Sequence, residues 1–257
     1  MAEIAIKVEN LKKSFGDKVV HNGVSFEVYD KEVFVIMGPS GTGKSVLLKQ
    51  ISALMIPDKG KVEVYGKDVF SLKGREKIDF REELTYVFQG GALFDSLTVW
   101  ENVAFFLIEN KGVPEAEAKE KATYYLSLVG LEGTNEQYTS ELSGGMRKRV
   151  AIARALCVNP RCIMFDEPTS GLDPVMTSVM DMLILKLKKE LHKTCVVVSH
   201  DINSAFRIAD RLAILWKGKI VEIGTPAKIK SSVNPVVNQF INGLPDGPIT
   251  ANLGYEG

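Results

Sequence analysis

Val33-Phe-Val-Ile-Met37, followed at once by Gly38-Pro39-Ser40-Gly41-Thr42-Gly43-Lys44-Ser45 and the helical run Val46 to Leu54, decides how this chain is read. Five apolar residues with no polar alternation predict a strand buried on both faces. The eight that follow fit G-x-x-x-x-G-K-[ST] at every fixed position. Their glycines let the backbone turn tightly, so that consecutive N–H groups point inward at phosphate oxygens. The helix that starts there adds its N-terminal partial positive charge. Lys44 reaches the outer phosphates of a bound nucleotide, and the Ser45 hydroxyl is a candidate magnesium ligand.

Working outward, two more apolar runs end in polar residues. Cys162-Ile-Met-Phe165 ends in Asp166-Glu167. A carboxylate at the tip of a central strand beside a phosphate loop holds magnesium directly or through water, which assigns Asp166 as a metal ligand. Glu167, one residue on, faces another way and is the candidate for orienting the water that attacks the γ-phosphate. Away from a phosphate loop the same pair reads equally well as a polar strand end. Cys195-Val-Val-Val198 ends in Ser199-His200-Asp201. A lone histidine is more often structural, but at this strand edge His200 can hydrogen-bond the γ-phosphate or the attacking water. Gln89, after the strand Thr85 to Phe88, can reach magnesium or water; on its own it reads as a surface turn residue.

The surroundings fit an α/β domain. Short runs rich in Val, Ile and Phe alternate with longer helical patterns, which predicts a mainly parallel core sheet. The first ~30 residues and Lys61 to Gly66 alternate like strands of a smaller antiparallel sheet. Thr98 to Asn110, Glu115 to Leu128 and Met176 to Leu191 carry helical spacing. Arg211 to Trp216 and Lys219 to Ile223 flank Lys217-Gly218 as a hairpin. No linker divides the chain. The expected organisation is one domain over residues 1–240, with a helical subdomain at about 90–160 and an extended tail at 241–257.

Composition narrows the function classes. Lys+Arg and Asp+Glu both number 32, so the balance gives no support for binding nucleic acid or an anionic membrane. Cys157, Cys162 and Cys195 lie in apolar runs without a CxxC, which argues for buried thiols rather than a disulfide framework or a zinc site. The N-terminal stretch has no long apolar core, and no run approaches the ~20 residues of a spanning helix. A cytoplasmic protein is expected, with any membrane role exercised through a partner. A guanine-reading NKxD motif is missing, since Asn110-Lys-Gly-Val113 lacks the Asp.

One further element places the chain in a family. Leu142-Ser-Gly-Gly-Met146 precedes Arg147-Lys-Arg-Val-Ala-Ile-Ala-Arg-Ala-Leu156. Ser143 suits a helix N-cap, and Gly144 and Gly145 leave the first N–H groups unobstructed. A single triphosphate hardly needs two such cradles from one domain; a nucleotide held between two copies uses both. With the phosphate loop, Gln89, CIMFDE at Cys162 to Glu167, SGLD at Ser170 to Asp173 and His200 in that order, the chain resembles the ATP-binding cassette family over nearly its whole length. That resemblance implies a P-loop ATPase working with Mg2+ as a head-to-tail homodimer, two ATP molecules lying in its interface. It implies that Ser143 and Gly145 meet the γ-phosphate held by the other copy and that Asp173 lies in the loop coupling the two sites. Phe15 matches the aromatic that stacks on adenine, although spacing alone favours a core or hairpin residue. Met146 departs from the commoner Gln and leaves the phosphate-facing part intact.

Within the family, Phe88-Gln-Gly-Gly-Ala-Leu-Phe-Asp-Ser-Leu-Thr-Val99 and the tail Gln239 to Pro248 resemble the ATPases of Mce-type lipid transporters, including the maintenance-of-lipid-asymmetry system. This implies phospholipid transport between membranes and a peripheral position at the cytoplasmic face of the inner membrane. It also implies an integral permease, an MCE-type substrate-binding protein and a small regulatory subunit as partners. Importers of amino acids or ions and lipoprotein-release transporters are the alternatives in the same class. A cassette acting on nucleic acid is disfavoured by the absence of coiled-coil insertions and basic extensions.

Overall fold

The structure is a computed structural model describing residues 3–251. The described residues form two compact units, one of residues 3–72 with 196–251 and the other of residues 73–195. The first unit opens with β1 (Ile4–Phe15), β2 (Lys18–Tyr29), β3 (Val33–Met37), α1 (Lys44–Ile51), β4 (Lys59–Val64) and β5 (Lys67–Asp68). A small antiparallel sheet has the order β2-β1-β4-β5. Its register sets Ile6 opposite Val28 and Val64, and Val8 opposite Phe26 and Val62. Since strand side chains alternate, these six share one face, and all are buried. The alternation expected at the start of the chain is what puts them there.

The second unit runs through α2 (Arg75–Glu83), β6 (Leu84–Val87), α3 (Val99–Lys111), α4 (Glu115–Leu128), α5 (Gly144–Leu156), β7 (Cys162–Asp166) and α6 (Pro174–Lys189). β6 and β7 pair in parallel, with Val87 opposite Phe165. α3 packs against α4 and α5, and Val103, Ala104 and Leu107 of α3, Ala122 and Leu126 of α4 and Val150 of α5 are all buried. Thr98 caps α3 in a box with Glu101, and Gly112 ends it in the left-handed region. α6 begins two residues before the expected Met176, because Asp173 supplies the N-cap and Pro174 fits the first helical turn.

β8 (Thr194–Val198) carries the chain back. Its Thr194 N–H donates to Arg161 O in the second unit, and Ser199 N–H donates to Ile36 O in the first. The first unit then closes with α7 (Ile202–Ile208), β9 (Arg211–Trp216), β10 (Lys219–Gly224), α8 (Pro226–Lys230) and α9 (Pro235–Asn242). β9 pairs in parallel with β3 and antiparallel with β10. The Lys217-Gly218 hairpin forms as expected, both residues at positive φ, which the right-handed strand twist favours. As the sequence predicts, β3, β7 and β8 are buried along their whole length.

Two expectations change. α1 stops at Ile51 rather than running to Leu54, because Ala53 turns into the left-handed region and Leu54 and Met55 N–H both close on Lys49 O. The end of the chain is not simply extended. Asn234 and Pro235 start α9, and residues 243–251 fold back on Gln239, which is 4% exposed. Its carboxamide accepts from Ile249 N–H at 2.7 Å and donates to Thr250 Oγ1 at 2.9 Å and Leu244 O at 3.2 Å. The last six residues of the expected tail lie outside the described residues. Among the described residues no helix is long and apolar enough to cross a membrane.

Candidate functional site

The first unit carries the phosphate loop, between β3 and α1. Gly38 leaves β3 at φ +152, and a Cβ there would meet Leu215 O at 2.1 Å. Gly43 caps α1 at φ +96, where a Cβ would lie 2.4 Å from Val20 Cγ1. Lys44 is 7% exposed, and its ammonium donates to Gly38 O at 2.8 Å and Pro39 O at 3.1 Å. The loop thus bends around its own lysine. Thr42 Oγ1 donates to Pro39 O at 2.9 Å, while Ser40 and Gly41 are exposed. Ser45 lies on the first turn of α1. His200 follows β8, and the Ser199 to Ile36 bond sets that strand end beside the end of β3. Phe15, at the turn between β1 and β2, is 47% exposed with Lys13 Nζ 5.5 Å above its ring, which removes the core reading.

His21 is a supporting residue that sequence reasoning did not single out. Buried on β2, it sets Nε2 3.1 Å from Gly43 O and Nδ1 2.8 Å from the Gln50 carboxamide. Burial lowers its pKa, while both hydrogen bonds pull the other way. A neutral ring with Nε2–H donating to Gly43 O fits that balance when the Gln50 carboxamide is turned so that its buried Nε2, otherwise unpaired, donates to Nδ1. A histidine in an alternating strand gives no signal that it props a loop more than twenty residues away.

The second unit carries the remaining candidates. Asp166 ends β7, 7% exposed, and accepts from Tyr86 Oη–H at 2.7 Å. The bond and the burial both raise the Tyr86 pKa, burial most. Glu167 is 9% exposed and stands at φ +53, a conformation unfavourable for a residue with a Cβ. Gln89 is exposed, and its Nε2 donates to Ser170 Oγ at 3.1 Å, so the structure brings Gln89 to the segment after Glu167. Asp173 is exposed and caps α6, accepting from Val175 and Met176 N–H at 2.9 Å each.

The start of α5 is built as its sequence suggests. Ser143 is the N-cap, its Oγ accepting from Met146 N–H at 3.2 Å. A Cβ on Gly144 would meet only Arg147 Nη2, at 4.0 Å. At Gly145 a Cβ would meet Met176 Cε at 3.3 Å and Leu172 Cδ2 at 3.6 Å, so this glycine lets α5 lie close to α6. The cations that follow bond to backbone carbonyls. Arg147 donates to Leu142 O, Lys148 to Glu167 O, Pro168 O and Ser170 O, and Arg149 to Val129 O and Gly130 O. Arg154, deeper in α5, donates to Gly91 O at 2.7 Å and Ala92 O at 2.8 Å, fixing the turn after Gln89. Asn102 is fully buried and ties α3 to the same region, exchanging bonds with Phe94 N–H and O. An Arg or Asn inside an apolar helix was the available signal for both.

The oxygen donors of Ser45, Gln89 and Asp166 are hard ligands of the kind Mg2+ takes. Among the described residues no group of three or more His, Cys, Asp or Glu can hold a metal alone. Mg2+ that arrives with a nucleotide takes further oxygens from the phosphates. All three cysteines are buried thiols outside any disulfide, and burial pushes the Cys157 thiol up to about 12, far from a reactive thiolate.

These two sets of residues belong to a known class. Residues 21–170 match the family profile described as ABC transporter, and the chain belongs to that family as an ATP-hydrolysing subunit that binds ATP with Mg2+. Among its relatives, a probable ribonucleotide transport ATP-binding protein, mkl, of Mycobacterium leprae is 39% identical over 246 residues, 96% of this chain and 71% of that one. The intermembrane phospholipid transport system ATP-binding protein MlaF of Haemophilus influenzae is 38% identical over 249 residues, 97% of this chain and 94% of that one. Of solved structures, a dimeric ATP-binding cassette in a post-hydrolysis state bound to ADP and Pi superposes with a TM-score of 0.78. It is 34% identical, over 86% of this chain and 98% of that one. The P-loop ATPase fold with an antiparallel subdomain and a helical subdomain is thereby shown.

Proposed function

We propose that this chain powers lipid transport as a homodimer, peripheral to the cytoplasmic face of the inner membrane. Its partners in this reading are an integral permease, an MCE-type protein that presents phospholipid and a small regulatory subunit. The observation that carries the dimer is the start of α5: a capped, glycine-lined helix N-terminus that is a second candidate phosphate cradle besides the phosphate loop. The likeness to MlaF over almost the full length of both chains supports the lipid cargo. Residues 1–240 act as one ATPase domain, with the helical subdomain at about 90–160, and 241–257 as a tail that steadies the dimer.

The residue roles follow from chemistry. Gly38 to Ser45 wrap the phosphates with backbone N–H groups, and Lys44 exchanges its loop carbonyls for β- and γ-phosphate oxygens. Phe15 offers an exposed face for adenine. Ser45, Asp166 and Gln89 hold Mg2+, which when bound neutralises charge on the phosphate oxygens. Glu167 orients the attacking water and draws on its proton as the new P–O bond forms and the bond to the ADP oxygen breaks. His200 hydrogen-bonds the γ-phosphate. Ser143, Gly144 and Gly145 of one copy grip the γ-phosphate bound by the other, so ATP favours the closed dimer and hydrolysis releases it. Asp173, by capping α6, fixes the segment between the two sites.

Glu167→Gln is expected to trap an ATP-bound dimer, seen as a doubled mass in size exclusion with turnover reduced at least 100-fold. Near-normal hydrolysis by that variant removes Glu167 from its role. The cargo is tested by purifying the intact complex through this subunit and identifying bound proteins and lipids. Recovery of an importer permease without phospholipid would replace the lipid reading with the importer alternative.

A further inference from the structure

Lys148 lies in the second turn of α5, on the helix that begins with the signature turn Ser143 to Gly145. Its side chain leaves the helix toward the segment that follows β7. There the ammonium donates to Pro168 O at 3.0 Å, to Glu167 O at 3.4 Å and to Ser170 O. One cation thus gathers three backbone carbonyls from four consecutive residues. Burial lowers the Lys148 pKa, and the Glu167 charge acts in the opposite direction.

The segment it grips is under strain. Glu167 stands at φ +53 while 9% exposed, and Gln89 Nε2 holds Ser170 Oγ from another side. A side-chain-bearing residue in the left-handed region is strained and persists only where its surroundings over-determine it. Charge-assisted hydrogen bonds to carbonyls are the stronger kind, and three from one donor supply that constraint.

We propose that Lys148 is a positioning residue for hydrolysis. It fixes the backbone of Glu167 to Ser170, so that the Glu167 carboxylate is aimed at the attacking water. Because it projects from the signature helix, it also ties that aim to the position of Ser143 to Gly145. The inference rests on Glu167 being the group that orients the water.

The test measures steady-state ATPase rates, affinity for a non-hydrolysable ATP analogue and thermal stability for Lys148→Met, Lys148→Arg and Lys148→Gln. Met keeps most of the apolar stem and removes the cation. Its kcat is expected to fall at least tenfold, with KM and analogue affinity within twofold of the unaltered protein. Arg, a cation of similar reach, restores kcat to within about threefold. Combined with Glu167→Gln, the Met substitution changes the residual rate less than twofold, since the two act through one carboxylate. A Lys148→Met kcat within twofold of the unaltered protein overturns the inference, as does parallel loss of kcat, analogue affinity and stability that Arg does not rescue. If Lys148→Met does not fold, the Arg and Gln variants decide: equal loss in both overturns it, and loss in Gln with retention in Arg supports it. Normal turnover by Glu167→Gln alone sinks the assignment of Glu167; an inactive Glu167→Gln beside a normal Lys148→Met sinks only the role of Lys148.

Discussion

A single methyl group decides whether the phosphate loop can exist. At Gly38 an added Cβ would stand 2.1 Å from Leu215 O, a backbone atom of β9 that has no flexible end to yield. Gly38→Ala is therefore expected to destabilise the protein by about 1–3 kcal/mol and to weaken ATP binding, read by urea unfolding and by nucleotide titration. His21 works on the same loop through protonation. Its folded-state pKa lies below its ordinary value, so the unfolded chain binds more protons as pH falls through the usual histidine range. Stability from this group is fully present above about pH 6.5 and declines below it. Melting temperatures measured from pH 8 to pH 5 should fall for the unaltered protein and less steeply for His21→Asn; parallel curves would show that His21 titrates alike in both states.

At the scale of elements, α3 and its neighbouring loop show how local and distant signals divide the work. The Thr98/Glu101 capping box was readable as T-x-x-E ahead of an apolar run. Thr98→Ala should cost about 1 kcal/mol by loss of the cap, checked by urea midpoint. Asn102 was not readable, because its role depends on the loop returning over the helix. Its Nδ2 donates to Phe94 O, Leu97 O and Thr98 O at 3.0–3.2 Å. Asn102→Ala strips Phe94 N–H and Leu97 O of their Asn102 bonds and leaves Phe94 O and Thr98 O with only the backbone N–H groups of Leu97 and Asn102, at about 1–3 kcal/mol. Limited proteolysis should then cut faster between residues 89 and 98. The hairpin of β9 and β10 lies at the other extreme, since Lys217-Gly218 specified it locally. Even here Gly218 has a tertiary duty: its carbonyl accepts from Asn22 N–H, and a Cβ on it would come within 2.8 Å of Val20 O.

For the whole molecule, the end of the chain gives a separable prediction. Removing Asp246 to Gly257 strips Gln239 of its bonds to Ile249 and Thr250. The melting temperature should fall by roughly 2–4 °C for each kcal/mol lost, and ATP-induced dimerisation should weaken as well if the tail steadies the dimer. A lower melting temperature with unchanged dimerisation would confine the tail to its own unit. The sequence alone determined the buried strands, the phosphate loop, the capped signature turn and the family. Each of these is written in residues adjacent or a few positions apart, where backbone geometry translates spacing directly into placement. Tertiary structure alone decided that Tyr86 bonds Asp166 across 80 positions, that Arg154 holds a turn 62 and 63 positions away, and that His21 reaches Gln50 across 29. Such partners meet only when strands and helices pack, and a hydrogen-bonding side chain carries nothing in its own neighbourhood that names the carbonyl or carboxylate it will find.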